Sequence, residues 1–152
     1  MTNIVLIFAS MSGNTEMMAE AVVKGIQEAG EEVKVIDVMN GAFAKGLLDF
    51  DGILLGSYTW GDGELPDDFL EFYEEMEGID LTGKKAAVFG SGDTGYYDFC
   101  AAVDILTEKL KERGADVMPE GLKVDLTPGE EEEEACKTLG KKFVAFLNTA
   151  KV

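Results

Sequence analysis

The chain contains no histidine, which excludes the catalytic triads and acid–base schemes that depend on imidazole, and most zinc sites. It has only two cysteines, Cys100 and Cys136. They form no Cys-x-x-Cys motif and are too few for a framework of bridges, so a reducing, cytoplasmic setting is expected. Each reads as a small buried residue, Cys100 at a helix start and Cys136 inside the last helix. No apolar run approaches the ~20 residues of a membrane span. Met1-Thr2-Asn3 leads directly into a strand pattern, so neither a signal nor a transit peptide is expected. Positive charge is scarce: 13 Lys and Arg stand against 30 Asp and Glu, a net charge of −17. Nucleic acid is a poor partner for such a surface, because affinity there comes from cations meeting phosphates, and an anionic membrane is disfavoured for the same reason. The acidity serves solubility and equally suits steered docking to partners with basic faces. There is no internal repeat and no linker. The one charge run, Glu130–Glu134, reads as the solvated start of a helix whose dipole welcomes it.

What the chain does have is alternation. At 152 residues it is expected to form one domain, and a chain of that size buries roughly 70% of its unfolded surface. Apolar runs at 4–9, 52–56 and 84–90 read as buried strands, 32–38 as a short strand, and 116–118 with 122–126 as a last strand interrupted by Pro119 and Gly121. Between them lie helical patterns. The first, 16–29, has Met18, Val22 and Ile26 on one face and ends at Gly30. The second, 66–77, opens on Pro66, with Phe69, Leu70, Tyr73 and Met76 on one side. The third, 100–113, turns Val103, Leu106 and Leu110 inward and ends at Gly114; the last spans 130–150. Residues 41–50 form an irregular connection with a helical turn. Strict strand–helix alternation implies a parallel sheet covered on both faces. Right-handed crossovers leave few topologies, and the expectation is an α/β, doubly wound, five-stranded parallel sheet of order 2-1-3-4-5.

In such sheets ligands sit at the carboxyl ends of the strands, and three strand ends carry unusual sequence. After the first strand comes Ser10-Met11-Ser12-Gly13-Asn14-Thr15, a hydroxyl-rich turn running into a helix start. Unpaired amides and the helix dipole make that a phosphate site. The turn has no Lys or Arg, which suits one terminal phosphate carried permanently rather than a polyphosphate. After the third strand comes Ser57-Tyr58-Thr59-Trp60-Gly61-Asp62-Gly63-Glu64, and after the fourth Ser91-Gly92-Asp93-Thr94-Gly95-Tyr96-Tyr97-Asp98-Phe99-Cys100. Trp60, the only tryptophan, stands beside Thr and Gly rather than in an apolar run, which suits either ligand contact or a loop anchored on the surface. Aromatics from two facing loops above a phosphate site can sandwich a flat ring. Residues 90–95 match Gly-x-Gly-x-x-Gly, yet a dinucleotide fingerprint belongs after the first strand; here the glycines are expected to let backbone approach a ring edge.

These residues resemble a family. The first loop matches the flavodoxin phosphate loop, Ser/Thr-x-Ser/Thr-Gly-x-Thr, at all its fixed positions; residues 58–62 and 92–100 resemble the two loops that carry the flavin-stacking aromatics. The likeness spans nearly the whole chain, and the lack of a long insertion between Met118 and Leu122 places it with the short-chain subgroup. That family adopts the same sheet order, so topology and resemblance are one expectation rather than two. The resemblance implies flavin mononucleotide (FMN) as cofactor. Ser10, Ser12, Asn14 and Thr15, with the backbone of Met11, Gly13 and their neighbours, would hold its phosphate. Trp60 and Tyr96 would take the two ring faces, and Gly61 would turn a carbonyl toward the flavin N5. Backbone groups of Asp62, Asp93, Asp98 and Cys100 would meet the ring's polar edge, with Tyr58, Thr59, Ser91, Gly92 and Phe99 lining the pocket. Tyr58 departs from the small residue that many relatives carry. The implied function is a low-potential one-electron carrier, monomeric, in transient complexes with reductases and acceptor enzymes that present basic docking faces. Two rivals stay open. An FMN-dependent quinone or NAD(P)H reductase would need a second pocket for a hydride donor. A signalling receiver domain would need acids where Ser10 and Ser57 stand.

Overall fold

Three apolar runs pair side by side in parallel at the centre of a sheet: β1 (Ile4–Ala9), β3 (Gly52–Tyr58) and β4 (Lys85–Gly92). The computed structural model describes residues 3–9, 14–38, 44–58, 67–92, 101–118, 122–125 and 129–148. β2 (Lys34–Asp37) adds to the outer side of β1; β5 (Asp116–Val117) and β6 (Leu122–Asp125) both run parallel to β4, one at each end of it. The order is β2-β1-β3-β4-β5. The expected topology is therefore observed, with the fifth position filled by two short pieces of an interrupted strand.

Each central strand is buried on both faces, and its alternation sorts side chains into two cores. Ile4, Leu6 and Phe8 pack with Met18, Val22 and Ile26 of α1 (Asn14–Glu28) and with Cys136, Leu139 and Phe143 of α4 (Glu130–Asn148). Val5, Ile7 and Ala9 face the other way, onto Phe69, Phe72 and Met76 and onto Val103, Leu106 and Leu110. Those residues come from α2 (Asp67–Glu75) with the 3₁₀ turn after it, and from α3 (Ala101–Glu112). The expected inward face of α2 is corrected in one place. Phe72, not Leu70, points to the core, and Leu70 is 40% exposed; spacing of three and four residues selects 69, 72 and 76 as one stripe, whereas 70 lies about 100–160° round the helix from them. β3 and β4 each run two residues further than their apolar runs, because Ser57 and Ser91 continue the ladder as buried hydroxyls.

The helices stop where glycine was expected to stop them. Gly30 and Gly114 have φ of 90° and 96°. Around Gly30 the amides of Glu31 and Gly30 return to the carbonyls of Ile26 and Gln27; around Gly114 those of Ala115 and Gly114 return to Leu110 and Lys111. This paired bonding needs a left-handed residue, which glycine supplies at least cost.

Two further glycines set how closely α1 and α4 approach. A Cβ on Gly25 would lie 2.0 Å from the carbonyl oxygen of Lys137, and one on Gly140 would lie 2.3 Å from that of Val22. The two helix backbones therefore touch, and no side chain can come between them. At the end of α1, Glu28 takes Lys141 at 3.1 Å and Lys137 at 3.6 Å. The Lys141 hydrogen bond, then the charges of both lysines, hold its carboxyl below the usual range. On the opposite face, Lys109 is buried against the carboxylate of Glu77, with Glu112 at 3.6 Å and the Tyr73 ring 4.6 Å away. Arg113 adds a bond to the Glu77 carbonyl at 2.9 Å, joining α3 to the turn after α2. Cys136 is fully buried, as expected; burial first, then the charges of Glu133 and Glu132, push its thiol up to about 12.

Gly140→Ala is expected to destabilise the protein by about 1–3 kcal/mol in urea unfolding, because separating two touching backbones outweighs the gain of roughly 1 kcal/mol in helix propensity. In a Cys100→Ser background, Cys136 is expected to resist a thiol reagent at pH 8 and to react fully on unfolding. Its thiol keeps its proton well above the ordinary value in the fold, so its contribution to stability is complete below about pH 9 and falls as pH rises toward 12.

Candidate functional site

The register brings the ends of the central strands to one edge. Ala9 pairs with Ser57, Tyr58 with Ser91, and Gly92 with Asp125. The segments that follow β1, β3 and β4 therefore leave from neighbouring positions on the carboxyl edge of the sheet. Those segments hold most of the expected site. Ser10, Met11, Ser12 and Gly13, then Thr59, Trp60, Gly61 and Asp62, then Asp93, Tyr96, Asp98, Phe99 and Cys100 lie outside the described residues. The described part is the platform beneath them: Asn14 and Thr15 opening α1, Tyr58 ending β3, and Ser91 and Gly92 ending β4.

The platform is made of hydroxyls. Thr15 is fully buried, and its Oγ1 lies 2.8 Å from the Oγ of Ser91, which is 4% exposed. This contact joins residues 76 apart in sequence and ties the first turn of α1 to the end of β4. Ser57, fully buried between them in the sheet order, donates to the carbonyl of Tyr58 at 2.8 Å. A helix start leaves amides without intrahelical partners, and the dipole gives that end a partial positive charge. With hydroxyls rather than ammonium groups beside it, the donor set fits a single terminal phosphate. A receiver domain would instead need an accessible acid at the end of β3; the closed hydroxyl of Ser57 occupies that place.

Tyr58 is half-buried, and its ring packs in part against the core formed with α2 and α3. Only the remainder of the ring can face a ligand. Gly90, the first glycine of the Gly-x-Gly-x-x-Gly match, is required by packing within the fold itself. A Cβ there would lie 2.4 Å from the Ser57 carbonyl oxygen and 2.7 Å from Val103. Its bare backbone admits α3 close to the sheet. Gly56 does the same for a neighbour: Phe89 lies over it, with a Cβ position only 2.3 Å from the ring. The described groups with shifted ionisation, Glu28, Asp80 and Cys136, belong to helices and a turn away from these strand ends. Asp80 sits low because the Thr82 hydroxyl and amide donate to it at 2.6 and 3.0 Å.

Sequence reasoning did not find the Thr15–Ser91 contact or the closure of Ser57. The available signal was the run of hydroxyls at the ends of otherwise apolar strands, but which hydroxyls meet depends on register.

A family model for flavodoxin matches residues 6–139. Among curated proteins, the chain is 50% identical over 143 residues to a probable flavodoxin 2 of Bacillus subtilis, covering 94% of this chain and 95% of that one. It is 38% identical over 149 residues to a flavodoxin of Nitratidesulfovibrio vulgaris, covering 96% and 100%. Among solved structures, oxidised flavodoxin 1 from Bacillus cereus superposes with a TM-score of 0.92 at 58% identity, covering 95% of this chain and 98% of that one.

Proposed function

Since the chain belongs to the flavodoxin family of FMN-binding electron carriers, we propose that it holds FMN at the carboxyl edge of the sheet and passes single electrons between redox enzymes, without turning over a substrate of its own. The observation that carries this reading is the meeting of the α1 start with the ends of β3 and β4, sealed by the buried Thr15–Ser91 contact. When bound, the flavin supplies the one-electron chemistry; the chain binds it, orients it and sets its electrostatic surroundings.

In this reading Ser10, Ser12, Asn14 and Thr15, with the backbone of residues 11–15, hold the phosphate through hydroxyls and amides alone. Trp60 and Tyr96 take the ring faces, where stacking needs no charged partner. The Gly61 carbonyl accepts a hydrogen bond at the ring, and backbone groups around Asp62, Asp93, Asp98 and Cys100 meet its polar edge. Asp62, Glu64, Asp67, Asp68, Asp93 and Asp98 crowd the same stretches of sequence. A carboxylate some 10 Å away costs an added negative charge roughly 0.2–0.5 kcal/mol, less in salt. With ~59 mV per tenfold change for one electron, that is about 10–20 mV each toward lower potential. Residues 10–15 include no Lys or Arg that could offset them.

The net charge of −17 supports partners with basic docking faces: in this reading they are redox proteins, reductases on one side and acceptors on the other, in brief complexes. The chain acts as a soluble monomer in the cytoplasm. Among the described residues, no helix is long and apolar enough to cross a membrane.

The direct test is to strip and reload the purified protein with FMN, then reduce it coulometrically. Stoichiometric uptake and two resolved one-electron steps are expected; a protein that takes up no FMN overturns the reading. NAD(P)H oxidation by the protein alone would favour a reductase instead. Trp60→Ala is expected to weaken FMN binding roughly tenfold, measured by fluorescence quenching. Asp62→Asn is expected to raise the midpoint potential by about 10–20 mV. Electron transfer to a basic partner, followed by stopped flow, is expected to slow markedly as ionic strength rises past about 0.1 M, where the screening length is about 10 Å.

A further inference from the structure

We propose that Ser91, expected from the resemblance to line the pocket, is instead a positioning residue for phosphate recognition: it acts through Thr15 rather than on the cofactor, by fixing the direction of the Thr15 hydroxyl proton. This rests on the assignment of the α1 start to the FMN phosphate.

The pair Thr15 Oγ1 and Ser91 Oγ, 2.8 Å apart and buried, shares one hydrogen bond, and either oxygen can be its donor. The two arrangements have opposite consequences. If Thr15 donates to Ser91, Thr15 turns lone pairs toward the loop that opens α1, and these repel an anion. If Ser91 donates to Thr15, the Thr15 proton is left to point into that loop. Two hydroxyls joined by one bond have one proton more than the bond uses, and an anion at the helix start is the group that takes it. Hydrogen bonds in such a chain strengthen one another, more so away from water.

Ser91 is well placed for this. It lies in β4, with backbone neighbours Tyr58 on one side and Val124 on the other. Its oxygen is held down at the sheet by the buried Thr15, the second residue of α1. Replacing Ser91 by alanine leaves Thr15 free to rotate and to spend its proton elsewhere. Thr15, in the first turn of α1, thus links Ser91 to the assigned phosphate site, and the start of α1 is coupled to the strand that leads into residues 93–100. The contact therefore links the two ends of the cofactor site through one hydrogen bond.

The experiment compares FMN with riboflavin, which carries the same ring without the phosphate, across wild type, Ser91→Ala, Thr15→Val and the double variant. Dissociation constants come from quenching of flavin fluorescence by apoprotein. Ser91→Ala is expected to weaken FMN about three- to tenfold while leaving riboflavin within about twofold, so the ratio between the two ligands changes. A loss of folded protein lowers both alike and leaves that ratio intact. In the Thr15→Val background, Ser91→Ala is expected to change FMN binding no further, and Ser91→Thr, which keeps the hydroxyl, is expected to keep the wild-type ratio. An unchanged ratio in Ser91→Ala overturns the proposal. So does an equal loss of FMN affinity from Ser91→Ala in both Thr15 backgrounds, which would mean that Ser91 meets the cofactor itself. Wild-type protein that binds neither flavin would defeat the FMN reading as a whole, a result distinct from either of these.

Discussion

The parallel pairing of β3 with β1 on one side and β4 on the other is the constraint on which the rest of the structure depends. Because all three strands run the same way, their carboxyl ends share one edge, and the segments between them must cross over and return on the faces. Those returns are the helices that cover the sheet. α1 and α4 close one core, and α2 and α3 close the other. The segments that follow β1, β3 and β4 all start from that edge, where open α/β sheets take their ligands.

That arrangement separates stability from chemistry. Some of the closest packing lies away from the carboxyl edge. Gly25 and Gly140 bring α1 and α4 into backbone contact, and Lys109 with Glu77 ties α3 to the turn after α2. At the edge itself the buried polar residues are small and hydroxyl-bearing: Thr15, Ser57 and Ser91. Buried hydroxyls cost little when paired and leave protons for a ligand.

Much of the fold was legible from apolar periodicity. The strands came from uninterrupted runs, α1 and α3 from their buried stripes, and the stops at Gly30 and Gly114 from a residue type that alone takes their backbone geometry cheaply. The exchange of Leu70 for Phe72 in α2 shows the limit: both are apolar, and a short amphipathic stretch does not say which of two adjacent stripes meets the sheet. Gly25 and Gly140 look like weak points in helices until the helices are set against each other. Gly90 likewise reads as part of a ligand motif, whereas its neighbour is Val103 of the chain's own helix.

The sequence by itself determined the alternation of strands and helices, the positions of the hydroxyl-rich and aromatic-rich loops, the lack of imidazole and the excess of acid. These are local or additive properties, and no partner segment is needed to read them. Only the tertiary structure decided that Thr15 meets Ser91, that Ser57 is closed, that Tyr58 is half taken by the core, and that two helix backbones touch. Each of these is a contact between residues far apart in the chain, set by strand register and helix approach, and a one-residue change of register would exchange the face that every side chain on that strand presents.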